Sequence, residues 1–218
     1  ETGNEVMVYF VDIFEGKYEE SLQAAREGIL GPPDSFYANW IQAIILYYSG
    51  RIDEALPFYE RLLELVPEGR PISSEFGHVD TLHLALARRK AGDEQGANDA
   101  LQIVKQDHAA LRAIGSVSHM EDVAESMIAA LEHHPDKAVT ALKSAMQRGL
   151  RDKSYFVDPV FEEIWDEPRF IALQQEMDAI LAIEQARILQ LICFNNPVPH
   201  DWLPLPETCE GVLEQVVP

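Results

Sequence analysis

Apolar residues in this chain recur every three or four positions and nowhere alternate long enough to make a strand. The segment from Ile52 to Val66 is the clearest case: Ile52, Ala55, Tyr59, Leu62, Leu63 and Val66 fall on one helical face. The same period predicts helices over about 5–14, 18–30, 35–49, 53–66, 79–90, 94–107, 120–133 and 137–147, with a long terminal helix over about 169–193. Breakers separate them: Gly31-Pro32-Pro33-Asp34, Gly50, the loop from Pro67 to Ser74, Ala91-Gly92-Asp93 and His134-Pro135-Asp136.

The helices come in pairs at a fixed spacing. Gly16 and Gly50, Ser21 and Ala55, and Pro33 and Pro67 each stand 34 residues apart. Gly92 and Ala97 keep the five-residue interval of Gly50 and Ala55, but Ala55 and Ala97 are 42 apart, so the intervening loop is 8 residues longer. In the fourth pair Ala138, Leu142 and Ala145 stand where small and apolar residues are wanted. Two helices joined by a short turn approach closely only where a side chain is no larger than alanine. This arrangement resembles the tetratricopeptide (TPR) repeat, whose period is 34 residues. The resemblance implies an all-α fold, a right-handed solenoid of about four helix pairs over 4–148, with units near 4–34, 35–69, 76–110 and 119–148. Asn39 and Gln42 depart from it, standing where the repeat favours large apolar residues, and the third unit lacks its closing proline.

Beyond Gly149 the pattern changes. The run Asp158-Pro159-Val160-Phe161-Glu162-Glu163-Ile164-Trp165-Asp166-Glu167-Pro168-Arg169-Phe170-Ile171-Ala172-Leu173 resembles the segment closing TPR regions of bacterial membrane-anchored nucleotide cyclases or winged-helix regulators. By that resemblance 149–193 is a capping segment and terminal helix, covering the apolar face that a solenoid end exposes. A proline-rich tail follows over 194–218. Cys193 and Cys209, the two cysteines, bracket its first part. Proline removes backbone donors, so a disulfide is the natural device to pin such a loop; closing about 15 residues is worth roughly 3 kcal/mol in the chain-entropy model. Disulfides persist in oxidising compartments, which points to the periplasm or another extracytoplasmic space. Two unrelated thiols in a cytoplasmic protein are the alternative. A zinc site is disfavoured, because the spacing is wrong and His200 is the only histidine nearby.

The charge narrows the partners. Of 218 residues, 37 are acidic and 17 are lysine or arginine, giving a formal charge of −20. Nucleic acid and anionic membrane surfaces repel such a chain, which leaves solubility or a cationic partner as the use of the excess. No apolar run reaches the roughly 18–20 residues that span a bilayer. Glu1-Thr2-Gly3 resembles a scar from a secretory expression vector, and the chain then reads as an excised domain.

Chemistry-bearing patterns are sparse, and no catalytic residue, metal ligand or cofactor is expected. His133 and His134 sit at a turn, His78 and His83 are five apart and not four, and His119 and Glu121 flank a helix start. No glycine-rich phosphate loop or nucleophile motif is present. The candidate site is instead the surface that the first helix of each TPR pair lines. Counting back from the turn glycines places Phe10 and Phe14, then Tyr37, Trp40, Ile44, Tyr47 and Tyr48, then Leu82, Leu86, Arg89 and Lys90 on it. Aromatic groups bury much area at small entropic cost. The same residues could instead pack against the tail and its Trp202, or against a second copy. The expected function is a non-catalytic TPR domain that binds a protein or peptide or pairs with itself. It would serve as the sensory or interaction region of a bacterial membrane-anchored signalling protein. The alternatives are a periplasmic scaffold for envelope assembly and a small-molecule-binding helical domain.

Overall fold

The structure is a computed structural model and describes residues 16–27, 32, 34–65, 72–195 and 209. The helix expected over 5–14 lies outside them, with Phe10 and Phe14. All regular structure among the described residues is helical: α1 (Tyr18–Arg26), α2 (Phe36–Tyr48), α3 (Ile52–Leu65), α4 (Ile72–Lys90), α5 (Glu94–Ala113), α6 (His119–Leu131), α7 (Pro135–Gln147) and α8 (Pro168–Asn195). Two 3₁₀ turns, η1 (Lys153–Phe156) and η2 (Pro159–Ile164), stand between α7 and α8. The chain divides into two compact units at Glu167 and Pro168.

In the first unit α2 packs on α3, α4 on α5 and α6 on α7. Neighbouring pairs are joined through α1 with α2, α3 with α4, α4 and α5 with α6, and η2 with α6. The small residues marked by the sequence, Ser21, Ala55, Ala97 and Ala138, are all buried. Side-chain oxygens fix the starts. Ser35 accepts from the Ala38 N–H, Asp93 from Gly96 and Ser118 from Glu121, each satisfying a donor that the first helical turn leaves unpaired. Asn39 and Gln42 are buried yet tolerated, because their amides donate to the carbonyls of Ser35 and Ala38 one turn earlier.

Three helices differ from the sequence expectation. α1 ends at Arg26 and not 30, with Glu27 as its C-cap, because Gly28 is a poor helix residue. α4 begins at Ile72 and not 79, but Gly77, at φ 72° and ψ 164°, breaks it. α5 runs on to Ala113 and not 107, because Ala109, Ala110, Leu111 and Arg112 are good helix formers. It stops just before Gly115, at φ 77°.

The turns inside the pairs share one backbone plan. At Gly50 the N–H of Arg51 returns to the Leu46 carbonyl, and at Gly92 the N–H of Asp93 returns to Arg88. Both glycines have positive φ, 79° and 85°, and a Cβ at either would meet nothing within 4 Å. Backbone conformation, not space, therefore requires glycine there. His133 holds the same place in the α6–α7 turn at φ 58°, with His134 donating back to Ala129. Ala138 follows it by five residues, as Ala55 follows Gly50.

The second unit contains α8, in which Phe170, Leu173 and Met177 are buried while Ile183, Ile188, Leu191 and Phe194 are exposed. Cys193, near its end, is disulfide-bonded to Cys209 with their Cα atoms 5.6 Å apart. No helix among the described residues is long and apolar enough to cross a membrane.

A left-handed backbone costs an L-residue about 1–2 kcal/mol, so His133→Gly is expected to raise stability by about 0.5–1 kcal/mol. Gly50→Ala should lower it by at least as much. Urea unfolding of the three proteins checks both signs; a destabilised His133→Gly would mean that the contact from His133 to Glu163 outweighs the backbone strain.

Candidate functional site

The first unit is centred on one carboxylate. Asp158 is fully buried and caps η2, its Oδ1 accepting the Val160 N–H at 2.9 Å. The Tyr47 hydroxyl donates to the same oxygen at 2.9 Å. Oδ2 accepts from Tyr48 at 3.1 Å and from His83 Nε2 at 2.8 Å. An ionised carboxylate only accepts, so Nε2 carries the proton. The other ring nitrogen, Nδ1, lies 3.3 Å from the Tyr59 hydroxyl. The His83 ring also stacks on Tyr47, with centroids 4.1 Å apart. Four donors from α2, α4 and η2 thus meet on one group that no water reaches.

Electrostatics follow from that geometry. Burial alone would push the Asp158 carboxyl up, but the His83 imidazole, the Val160 N–H and the Tyr47 hydroxyl hold it below the usual carboxylate range. Burial first, then the Asp158 charge, push Tyr47 and Tyr48 well above an ordinary tyrosine. Tyr59 moves the same way, by burial and then the charges of Asp80 and Asp158.

Beside this cluster lies a cavity of about 690 Å³. Trp40, Ile44 and Tyr48 of α2 form one wall, and α4 contributes His78, Val79, Asp80 and His83. Leu111 of α5, Met120 and Glu121 at the start of α6, and Tyr155 of η1 close it further. Asp80 is half-buried. Its carboxyl is raised to about 6, mainly by burial, with Asp158 adding to the shift while His83 and Trp40 oppose it. Burial also lowers His78, helped by His108 and opposed by Asp107 and Glu121.

The residues expected on a single binding surface part company. Trp40, Ile44 and Tyr48 line the cavity. Tyr37 is 59% exposed, whereas Tyr47 and Leu82 are fully buried. Leu86, Arg89 and Lys90 border a separate cavity of about 220 Å³ with Leu131 and Val160. Both cations there are engaged: Arg89 donates to the Leu131 carbonyl and Lys90 to Glu162. The sequence reading missed Asp80, Tyr155 and the Asp158 cluster, and it set His83 aside. Among the described residues no group of three or more acidic, histidine or cysteine side chains has the geometry to hold a metal ion. Neither a protein-family model, nor a curated protein, nor a solved structure matches this chain.

Asp158→Ala strands three buried side-chain donors and should cost about 3–5 kcal/mol. Asp158→Asn keeps the shape but presents an amide N–H₂ where an acceptor is needed, and should cost about 1–3 kcal/mol. The carboxyl is lower in the folded than in the unfolded chain, so its contribution is complete above the unfolded value, about 3.9. It fades as acid takes the pH down through the folded value. Unfolding free energy measured down a pH series should therefore fall less steeply in acid for Asp158→Asn than for the parent. Parallel curves would mean that Asp158 is not the group being titrated.

Proposed function

We propose that this chain is a non-catalytic, TPR-like helical array of about four helix pairs that receives a segment of a protein or peptide in the cavity beside Asp158. One observation carries the reading: most of the lining of the roughly 690 Å³ opening comes from α2, α4 and the start of α6, the first helix of each successive pair, with Leu111 of α5 and the η1 region closing it. Those are the helices that a TPR array turns toward its partner. Mixed aromatic and polar lining suits recognition, because aromatic rings supply area and the few polar groups supply orientation. Absence of catalysis is supported by the use made of the strongest chemical groups. Asp158, His83 and Tyr59 satisfy one another in the interior, as a structural network does.

Location and context belong to the same proposal. The Cys193–Cys209 disulfide supports an oxidising, extracytoplasmic setting. The segment from Asp158 to Leu173 supports a role as the interaction region of a membrane-anchored signalling protein, with an envelope scaffold as the alternative context. A second reading, a small-molecule site, is favoured by the cavity volume, which falls within the usual range of about 300–1,000 Å³ for such pockets.

Val79 faces the cavity from the start of the unbroken part of α4, so Val79→Trp should fill the opening without touching Asp158. A random peptide library panned against the parent is expected to yield binders that the variant no longer holds, while the two proteins unfold within about 0.5 kcal/mol of each other. Peptides retained equally by the variant would remove the cavity from the function.

A further inference from the structure

The cavity is polar in an unbalanced way. Among its described lining residues are three carboxylates, Asp80, Glu121 and Asp152, against two histidines, His78 and His83, and no lysine or arginine. Two of the three are accounted for. Glu121 accepts from the Ser116 hydroxyl, and Asp152 caps η1 by accepting from the Ser154 N–H at 2.9 Å. Asp80 is different. Its carboxyl is raised to about 6, first by burial, with His83 and then Trp40 opposing the shift and the Asp158 charge adding to it. His83 offsets that burial only in part, and a half-buried carboxylate beside aromatic groups with no lysine or arginine on the same lining is costly to the folded chain.

We propose that Asp80 is the counter-ion for a lysine side chain of a partner polypeptide, which enters the cavity along Trp40 and Tyr48. This rests on the reading of the cavity as a peptide-binding site. A desolvated ammonium gains from a carboxylate and from nearby aromatic groups together. Lysine fits better than arginine. A guanidinium fork wants both carboxylate oxygens in one plane, whereas a compact ammonium is satisfied by one of them and reaches into a narrow site on its flexible stem. The strong acidic balance of the chain, −20, draws the same kind of partner from solution.

The source of the ammonium follows from what lies beside the cavity. Ile114 and Val117 sit in the loop between two lining residues, Leu111 and Ser118, and are 80% and 64% exposed. Met120 on the lining is exposed as well. A free amine would leave this apolar surface uncovered, while the residues flanking a lysine in a polypeptide would cover it.

Calorimetric titration of the full chain at neutral pH with three probes tests the proposal: a capped Ala-Leu-Lys-Leu-Ala peptide, the same peptide with norleucine for lysine, and n-butylamine. The lysine peptide is expected to bind at least about tenfold more tightly than either of the others. Asp80→Asn should abolish that preference. The variant should be no less stable than the parent. Because the Asp80 carboxyl is raised on folding to about 6, stability is lost as the pH rises from the unfolded value, about 3.9, and the cost is complete above the folded one; asparagine removes it. Equal binding of the norleucine peptide would overturn the counter-ion role. If Val79→Trp then abolished that binding, the peptide site itself would stand. Equal binding of n-butylamine would overturn the polypeptide source in favour of a free-amine site, and binding by none of the three would overturn the proposal outright.

Discussion

A charge without water must be surrounded by donors, and that requirement organises the first unit. Asp158 can stay ionised at full burial only because Tyr47, Tyr48, His83 and the Val160 N–H all point at it. Those donors come from α2, α4 and η2, so satisfying one carboxylate fixes three parts of the chain against one another. Tyr59 extends the network to α3 through His83. Apolar packing supplies most of the driving force in a helical array, but it specifies register weakly. A fully satisfied polar cluster specifies it strongly, since any slip leaves a buried donor without an acceptor.

The small-residue contacts do a different job. Ala55, Ala97 and Ala138 let successive helices come close, and the left-handed residues Gly50, Gly92 and His133 reverse the chain five positions before each. These are local devices, each repeated within its own pair. The Asp158 cluster is the non-local counterpart, joining residues 75 and 111 positions apart. The cavity lies where the two schemes meet: Tyr48 and His83 belong both to the carboxylate cluster and to the cavity wall.

This division explains what the sequence could tell. Helix positions were legible because the 3.6-residue period and the turn glycines are local signals, and α2, α3, α6 and α7 fall within a few residues of expectation. The left-handed place at His133 was not legible, because histidine carries no signal for that conformation. Nor was the cluster, since no local pattern joins Tyr47, His83 and Asp158. Counting back from Gly92 places Leu82 and Leu86 of α4 on the expected surface, but the polar groups that matter are Asp80, two positions before Leu82, and His83, one after it. Tyr47 and Tyr48 were taken together, although adjacent residues on a helix point in different directions. One is fully buried, while the other reaches the cavity.

The two aspartates near the cavity show how environment assigns roles. Asp158 has a full set of donors, an imidazole among them, and its carboxyl is lowered in spite of burial. Asp80, close enough to feel the Asp158 charge, has the Trp40 indole and a carboxyl raised to about 6. Stability alone would favour asparagine at position 80, because the charge there is held against the preference of the fold. At position 158 the opposite holds, since an amide could not accept from every donor around it. A carboxylate that strengthens the fold belongs to the architecture. One held raised at about 6 in a half-buried site, beside aromatic groups and open to the cavity, is the kind of group whose charge the proposed lysine partner would stabilise.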